Sequence, residues 1–144
     1  MPVPDSVVQL VSRFEANLSD YKKSTYNETE VRRELIDPLF AALGWTMDNK
    51  NGLGEETKEV VHEFSMKIEG KAKAPDYGFK VGKELKFFVE AKKPSVNLKN
   101  NSASAFQIRR YAWSAKLSVS ILTDFEEFAV YDGQIVPSES DGAG

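Results

Sequence analysis

The sequence predicts an α/β fold in which a central mixed β-sheet is flanked by helices. Apolar residues recur at helical spacing in two amino-terminal segments and in one later segment. Shorter runs rich in Val, Ile, Phe and Tyr lie between and after them. The last helix separates two such runs, and a helical crossover is the usual connection between parallel strands. The predicted order is therefore α-α-β-β-β-α-β-β, within a single domain over residues 1–136.

Two helices are predicted at the start of the chain. The first covers residues 6–23 and begins with a capping box formed by Ser6 and Gln9. The second begins at Asn27 and stops at Gly44, because glycine commonly ends helices. Their predicted apolar faces consist of Val7, Leu10, Val11, Phe14 and Leu18 in the first and Val31, Leu35, Ile36, Leu39 and Leu43 in the second.

Strands and turns are predicted to fill the rest of the chain. In order, they are a loop at 48–56, a strand at 58–68, a basic turn at 69–74, a hairpin of strands 75–81 and 85–91, a polar linker at 96–102, a helix at 103–116, and strands at 119–123 and 127–131. The closing segment 137–144 is small and polar, so we predict that it is disordered or links to further domains.

Three charged residues fall in the predicted hairpin, among apolar neighbours. Side chains alternate faces along a strand, so Glu90 and Lys92 emerge on one side and the residue between them on the other. The hairpin carries Asp76 to the same end of the sheet. Two neighbouring carboxylates repel each other unless a cation lies between them. The sequence therefore predicts a metal site at this end of the sheet.

The chemistry of this cluster follows from its ligands. Carboxylate oxygens with open positions favour Mg²⁺ or Mn²⁺, and Mg²⁺ retains several waters. A bound metal lowers the pKa of its water and neutralises charge that builds up on a phosphate. Lys92 would hold or polarise the attacking water. The predicted reaction class is phosphodiester hydrolysis.

The order Pro75-Asp76, then Glu90-x-Lys92 after thirteen intervening residues, resembles the signature of the PD-(D/E)XK nuclease superfamily. Further blocks resemble the amino-terminal nuclease domain of type I restriction enzyme R subunits and of type IIG restriction-modification enzymes. These blocks are Asn27-Glu28-Thr29-Glu30-Val31-Arg32, Ile36-Asp37-Pro38, Gly44-Trp45, Val89-Glu90-Ala91-Lys92-Lys93-Pro94 and Gln107-Ile108-Arg109-Arg110-Tyr111. The resemblance covers roughly residues 26–132.

The resemblance implies a restriction-endonuclease-like αβββαβ core and a Mg²⁺-dependent endonuclease that cuts double-stranded DNA to leave a 5′-phosphate. It implies that Asp76, Glu90 and the Ala91 carbonyl bind the metal and that Lys92 positions the water. Base recognition would come from other domains, since the chain shows no recognition helix or zinc module. The implied partners are downstream helicase or methyltransferase and target-recognition domains of a parent enzyme.

An acid on the second helix is a further catalytic candidate. Glu30, Glu34 and Asp37 lie on one helical stripe. In the family that the chain resembles, an early acid leans over the metal site, and the matching position is Glu30, with Glu34 as an outside candidate. The alternative is that Asn27 and Glu30 form a capping box, which would occupy the Glu30 carboxylate.

Gln107 and Tyr111 lie one turn apart on the later helix, on the side of Ile108 and Ala115 that is predicted to face the sheet. The resemblance assigns them the role of supporting the active site. The alternative is a core tyrosine with a glutamine at its edge. On the opposite side of the helix, Arg109 with Phe106 and Trp113 indicates phosphate contact, domain docking or a second layer of core.

The charge of the chain is unevenly distributed. The formal net charge is −3, yet residues 67–99 hold nine lysines against four acids, a local balance of +5. A basic segment around an acidic metal site suits a phosphate-cleaving centre, although lysine-rich hairpins are also simply soluble. The candidate DNA-binding residues are Lys73, Lys93, Arg109 and Arg110.

Several function classes are excluded or given a simpler explanation. The chain has no cysteine, no apolar run long enough to span a bilayer, no secretory signal and no phosphate-binding glycine loop, and we expect a cytoplasmic protein. His62 is predicted to play no part in the chemistry, and Asp124, Glu126 and Glu127 are predicted to form a solvated turn. Two competing functions are a catalytically silent module for nucleic-acid binding or assembly and a free-standing junction-resolving or repair nuclease.

Overall fold

The computed structural model describes residues 2–144. The helices are α1 (Asp5–Ala16), α2 (Leu18–Tyr21), α3 (Glu28–Val31), α4 (Asp37–Ala42) and α5 (Ser102–Ser114), with a π-helical segment at Arg32–Ile36 and a 3₁₀ segment at Leu98–Asn100. The strands are β1 (Val60–His62), β2 (Met66–Ile68), β3 (Lys71–Lys73), β4 (Tyr77–Val81), β5 (Glu84–Ala91), β6 (Val119–Thr123) and β7 (Phe128–Asp132). Across these residues, no helix is both long and apolar enough to cross a membrane.

A five-stranded mixed sheet with the order β1-β4-β5-β6-β7 forms the centre of the fold. Strand β4 pairs antiparallel with β1 and β5, whereas β5 pairs parallel with β6 after the chain crosses over through α5. Strand β7 returns antiparallel along β6. The predicted α/β class, the β4–β5 hairpin and the helical crossover are all confirmed.

Each face of the sheet has its own hydrophobic core. One core lies between the sheet and the amino-terminal helices, where Phe79 stacks on Phe87 at 4.6 Å and also touches Phe40 and Trp45. The other core lies on the α5 side, where Phe88 is fully buried among residues of α5, β2 and β6. Strand β5 contributes to both cores, so its charged end is held rigidly from two sides.

The first predicted helix is interrupted. It breaks at Asn17, whose φ of −120° is not helical, and α2 follows as one short turn. The predicted capping box at Ser6 is wrong, because α1 begins after Pro4 without a side-chain cap. In the second predicted helix, the cap at Asn27 is confirmed and the helical backbone runs through the π segment to end before Gly44.

The single strand predicted at 58–68 is wrong. It is divided at Glu63, whose φ is +54°, into β1 of the main sheet and β2 of a separate two-stranded sheet. The backbone N–H groups of Glu63 and Phe64 donate to the carbonyls of Asp76 (2.8 Å) and Pro75 (3.0 Å), and these bonds replace continued strand pairing. The apolar run Val60-Val61-His62-Glu63-Phe64 gives no signal for this break.

The segment 69–74, predicted to be a basic turn, contains the turn and the second strand of a hairpin. Strand β3 pairs with β2, and the two are joined by the two-residue turn Glu69-Gly70. Both turn residues have positive φ, +52° and +78°, as a type I′ turn requires. The lysines of this segment therefore lie on ordered strands, not on a loop.

The closing segment 137–144 makes specific contacts that its composition does not indicate. Asp141 forms an ion pair of 2.7 Å with Arg109 of α5. The Tyr131 hydroxyl donates to the carbonyl of Ala143 at 2.7 Å, and Ala143 is buried. Two contacts, one to α5 and one to β7, therefore hold this segment, for which the sequence predicts disorder.

Candidate active site

The candidate site is built where strands β4 and β5 lie side by side. Asp76 immediately precedes β4, and Glu90 is the penultimate residue of β5. Because Tyr77 pairs with Val89 in the antiparallel register, Asp76 and Glu90 face each other across the two strands. The predicted hairpin therefore brings the two carboxylates together.

Each carboxylate is fixed by a backbone N–H group of the opposite strand. The Asp76 N–H donates to Glu90 Oε1 at 2.8 Å, and the Ala91 N–H donates to Asp76 Oδ2 at 2.8 Å. These reciprocal bonds occupy one oxygen of each acid. The second oxygen of each receives no backbone hydrogen bond from residues 2–144, and the Arg32 guanidinium lies 3.7 Å from that of Asp76.

Glu90 carries an unusual proton affinity. Burial and then the negative charge of Asp76 raise the pKa of Glu90 to about 7, while the Asp76 N–H and the charge of Lys92 act in the opposite direction. The two half-buried like charges repel each other, and the charge of Lys92 partly offsets that repulsion.

Arg32 lies against Asp76 and was not singled out by the sequence. Its Nη1 is 3.7 Å from Asp76 Oδ1, and its Nη2 donates to the Asp76 carbonyl at 3.2 Å. The guanidinium stacks over the Tyr77 ring at 4.7 Å, and the Tyr77 hydroxyl donates to Asp37 Oδ1 at 2.6 Å. Arg32 is the last residue of the sequence block Asn27–Arg32, and its place in that block is the one sequence signal that pointed to it.

His62 is held at both ring nitrogens by neighbours in the protein. Arg32 Nη2 lies 3.4 Å from Nδ1, and Nε2 lies 2.7 Å from the Met47 carbonyl. Both ring nitrogens therefore have partners within the protein. The histidine ties the loop after α4 to β1 and to Arg32.

Lys92 follows β5 directly. Its backbone N–H donates to the Thr123 carbonyl at 2.9 Å, which fixes the chain against the end of β6. Its Nζ is 3.8 Å from Glu28 Oε1, and only about a fifth (21%) of the side chain is exposed. The three charged groups predicted from the hairpin thus share one end of the sheet, with Glu28 as an acid that the sequence did not single out.

Glu30 forms the capping box that was the alternative to a catalytic role. Its N–H donates to Asn27 Oδ1 at 2.9 Å, and the Asn27 N–H donates to Glu30 Oε2 at 3.3 Å. Glu34, the outside candidate, accepts from the Tyr26 hydroxyl at 3.2 Å. In this structure, the residue of α3 that contacts Lys92 is Glu28.

Helix α5 presents Tyr111 to the site. Tyr111 is buried, and burial together with the negative charge of Glu90 raises its pKa. Gln107 donates to the Tyr111 hydroxyl at 2.5 Å but is itself exposed. The prediction that both side chains face the sheet is therefore right for Tyr111 and wrong for Gln107, which lies at the edge of the buried stripe.

Three of the four candidate DNA-binding residues are engaged by other groups of the protein. Arg109 is 11% exposed and engaged by Asp141, and Arg110 is 3.2 Å from Glu69. Lys93 donates to the Ser24 carbonyl at 3.4 Å. Lys73 lies on β3, half-buried and without an ion pair to the described residues. Arg109 is therefore occupied by the closing segment.

A second buried acid lies at the end of the neighbouring strand. Asp124 follows β6, is 2% exposed and accepts from the Glu127 N–H at 2.8 Å. Burial raises its pKa to about 6. The predicted solvated turn is therefore wrong for Asp124, because the turn folds its carboxylate inward. Residues 2–144 contain no group of three or more His, Asp or Glu side chains placed to hold a metal ion.

Comparisons with known proteins give one match. The chain is 38% identical over 139 residues to the type II restriction enzyme and methyltransferase RM.Eco57I of Escherichia coli. The match spans 95% of this chain but only 14% of that protein. No family model matches the chain, and no solved structure matches it either. The similarity supports assigning this chain to a restriction-enzyme domain.

Proposed function

We propose that the chain is a Mg²⁺-dependent endonuclease domain that hydrolyses DNA phosphodiester bonds within a restriction or restriction-modification enzyme. One observation carries the proposal: the reciprocally bonded carboxylates of Asp76 and Glu90 lie beside Lys92 at the end of β5. The similarity to a restriction enzyme supports the same assignment. The family resemblance adds double-stranded DNA as substrate and a 5′-phosphate on the product.

The residues present fit a divalent cation. Asp76 Oδ1 and Glu90 Oε2 are carboxylate oxygens left without a hydrogen-bonding N–H, and their fixed positions suit an oxygen-preferring ion. A cation between them relieves the repulsion that raises the Glu90 pKa. The Ala91 carbonyl is the third proposed ligand. Mn²⁺ is expected to substitute for Mg²⁺ because both prefer oxygen ligands.

Side chains near the carboxylate pair have the remaining catalytic roles. Lys92 holds the attacking water and stabilises the negative charge of the phosphate, and Glu28 holds the Lys92 ammonium group in place. The bound metal supplies a water of lowered pKa and neutralises charge on the phosphate. Tyr111, bonded to Gln107, supports Glu90 from the α5 side.

Other domains are proposed to supply recognition. The relative matched here is named both a restriction enzyme and a methyltransferase, and the matched chain spans 14% of it. A net charge of −3 is unfavourable for holding DNA through this domain alone. We therefore propose target-recognition and methyltransferase or helicase regions as partners, in a cytoplasmic enzyme.

Calorimetric titration with Mn²⁺ tests the proposal directly. The wild-type chain should bind Mn²⁺ saturably, and Asp76→Ala should abolish that binding. Asp124→Asn is the matched control, because it changes a buried acid on the adjacent strand end without touching the pair. Mg²⁺-dependent nicking of supercoiled plasmid should follow the same pattern. Absence of saturable Mn²⁺ binding by the wild-type chain would falsify the proposal.

A catalytically silent module is the second candidate function. It is favoured by the internal neutralisation of the site, since Arg32 lies against Asp76 and Glu28 lies against Lys92. It predicts no saturable Mn²⁺ binding and no change with Asp76→Ala. The same titration therefore separates the two functions.

A further inference from the structure

We propose that the β2–β3 hairpin binds the DNA backbone next to the cleavage site. The inference rests on the proposed nuclease function and assigns the substrate contact to Lys67, Lys71 and Lys73 of this hairpin. It is carried by the placement of the hairpin, by its attachment to the domain, and by the absence of acids that pair with its lysines.

The placement of the hairpin follows from chain connectivity. Strand β3 ends at Lys73, and Asp76 lies three residues further along the chain. Three residues of extended chain span at most about 10 Å, which is the scale of one to two phosphate steps along a DNA strand. A backbone held at Asp76 therefore passes within reach of β3.

The hairpin is fixed to the domain at its root and its turn. Ile68 is buried against the α5-side core that also contains Phe88 and Ile108. At the turn, Glu69 is 3.2 Å from Arg110 of α5. Close to the root, a Cβ added at Gly78 would stand 2.8 Å from the ring of Phe64, so only glycine allows this packing. An anchored hairpin loses little conformational entropy on binding.

The lysines of the hairpin have no acidic partner. Within residues 2–144, Lys67, Lys71 and Lys73 form no ion pair and no side-chain hydrogen bond, and the only acid of the hairpin, Glu69, is taken by Arg110. The other lysine-bearing hairpin of the chain differs. On the β4–β5 hairpin, Lys83 is 3.4 Å from Glu56 and Lys86 is 2.6 Å from Glu84.

The lysines also lie on both faces of the two-stranded ribbon. Lys67 pairs with Ala72 in the register and shares its face, whereas Lys71 and Lys73 share the face of Ile68 and Met66. The face of Ile68 packs on the domain, so the ribbon meets DNA with its outer side and not with both faces. Lys67 on the outer face and Lys71 beside the turn are both exposed, and they offer unpaired positive charge to a phosphate backbone that runs along this side.

Salt-dependent DNA binding tests the proposal. The affinity of the 144-residue chain for a fluorescein-labelled 25-base-pair duplex would be measured by anisotropy across a series of KCl concentrations, with Ca²⁺ present to suppress cleavage. The test variant is Lys67→Gln/Lys71→Gln, and the matched control is Lys83→Gln/Lys86→Gln, which removes the same charge from the other hairpin. Circular dichroism melts check that both variants fold.

The expected result is specific to one hairpin. Each lost phosphate contact lowers the slope of log affinity against log salt by about 0.9, so the test variant should lose about 2 in slope and more than about tenfold in affinity at low salt. The control should lose less than about half a unit of slope. Equal losses in both variants, no loss in either, or no measurable duplex binding by the wild-type chain would each overturn the proposal.

Mn²⁺ titration of the same variants separates this inference from the proposed function. The Lys67→Gln/Lys71→Gln variant should bind Mn²⁺ as the wild type does, because neither lysine lies at the carboxylate pair. Normal Mn²⁺ binding with an unchanged salt slope defeats the hairpin assignment alone. Loss of Mn²⁺ binding in the wild-type chain defeats the nuclease function itself.

Discussion

Two buried acids end adjacent parallel strands of this sheet, and only one of them belongs to a candidate active site. Glu90 at the end of β5 and Asp124 after β6 both have pKa values raised chiefly by burial, to about 7 and about 6. Glu90 faces a second carboxylate, Asp76, with Lys92 beside it, whereas the carboxylate of Asp124 closes its own turn through the Glu127 N–H. Burial and a perturbed pKa therefore do not define a site. What distinguishes Glu90 is a second carboxylate, Asp76, that reciprocal backbone N–H bonds fix opposite it.

Metal binding should differ most strongly between variants of the two acids. Glu90→Gln removes a proposed ligand and should weaken Mn²⁺ binding by more than about 100-fold, since even outer contacts of metal sites contribute 10- to 100-fold. Asp124→Asn should leave the affinity within about twofold. Isothermal titration calorimetry of both variants is the measurement, and equal effects of the two substitutions would contradict the distinction between Glu90 and Asp124.

The pH dependence of stability should make the two acids look alike. A pKa raised from 4.5 to about 7 means that ionised Glu90 disfavours the metal-free fold, so stability is full below pH 4.5 and falls as the pH rises to about 7. Metal-free Glu90→Gln should therefore be more stable than wild type at pH 8, by up to about 3 kcal/mol, with no gain at pH 4. Ionised Asp124 disfavours the fold in the same way, and the wild type loses this part of its stability as the pH rises from 3.8 to about 6.

Urea denaturation of the three proteins at pH 4, 6 and 8 measures these differences. A saturating concentration of Mn²⁺ should stabilise wild type and Asp124→Asn but not Glu90→Gln. A gain at pH 4 as large as that at pH 8 would show that packing, not ionisation, produces the effect.

The cation at the Asp76–Glu90 pair and the cation near Asp124 should differ in their contribution to stability. Arg32 is largely buried and contacts both the carboxylate and the carbonyl of Asp76, so Arg32→Met should lower the free energy of unfolding by about 2 kcal/mol. Lys22, the cation that lowers the pKa of Asp124, contacts the exposed side chain of Glu126. Lys22→Gln should therefore change stability by less than about 1 kcal/mol.

Thermal and urea unfolding compare these two variants, with Arg32→Lys as the conservative control that keeps the charge. If Lys22→Gln proved as destabilising as Arg32→Met, the distinction between a buried and a surface cation at these strand ends would be wrong.

The smallest expected effect is that of Tyr111, the residue of α5 next to Glu90. Tyr111→Phe removes the hydroxyl that accepts from Gln107 and should lower stability by about 1 kcal/mol or less. If Tyr111 supports Glu90, the variant should also cut plasmid more slowly than its small stability change explains, while Asp124→Asn should cut at the wild-type rate. Unchanged cleavage by Tyr111→Phe would leave Tyr111 as a core residue only.

Local rules predicted the parts of this protein that depend on neighbouring residues. Alternation along strands β4 and β5 carries Asp76 to the end of the sheet where Glu90 lies, but the two-residue turn that contains Gly82 would by itself pair Asp76 with Val89. A bulge between Phe79 and Lys80 shifts the register by one residue and sets Asp76 opposite Glu90. The same kind of local rule identified the cap at Asn27, because the capping box is complete within four residues.

Long-range contacts decided what local rules left open or missed. Arg32 reaches Asp76 across 44 positions of sequence, so its role depends on how the π segment packs on the sheet. The break at Glu63 arises because its N–H and that of Phe64 bond to the Asp76 and Pro75 carbonyls. Neither contact has a signature in the sequence of one segment.

The sequence by itself determined the class of fold and the hairpin that brings Asp76 and Glu90 to one end of the sheet, since both follow from periodicity and turn signals. Only the tertiary structure decided that a bulge sets Asp76 opposite Glu90, that Asp124 is buried, that Glu28 contacts Lys92, and that the lysines of β2 and β3 stand on an anchored ribbon. The physical reason is that burial and ion pairing depend on which distant surfaces meet, and that is settled only when the helices pack on the sheet.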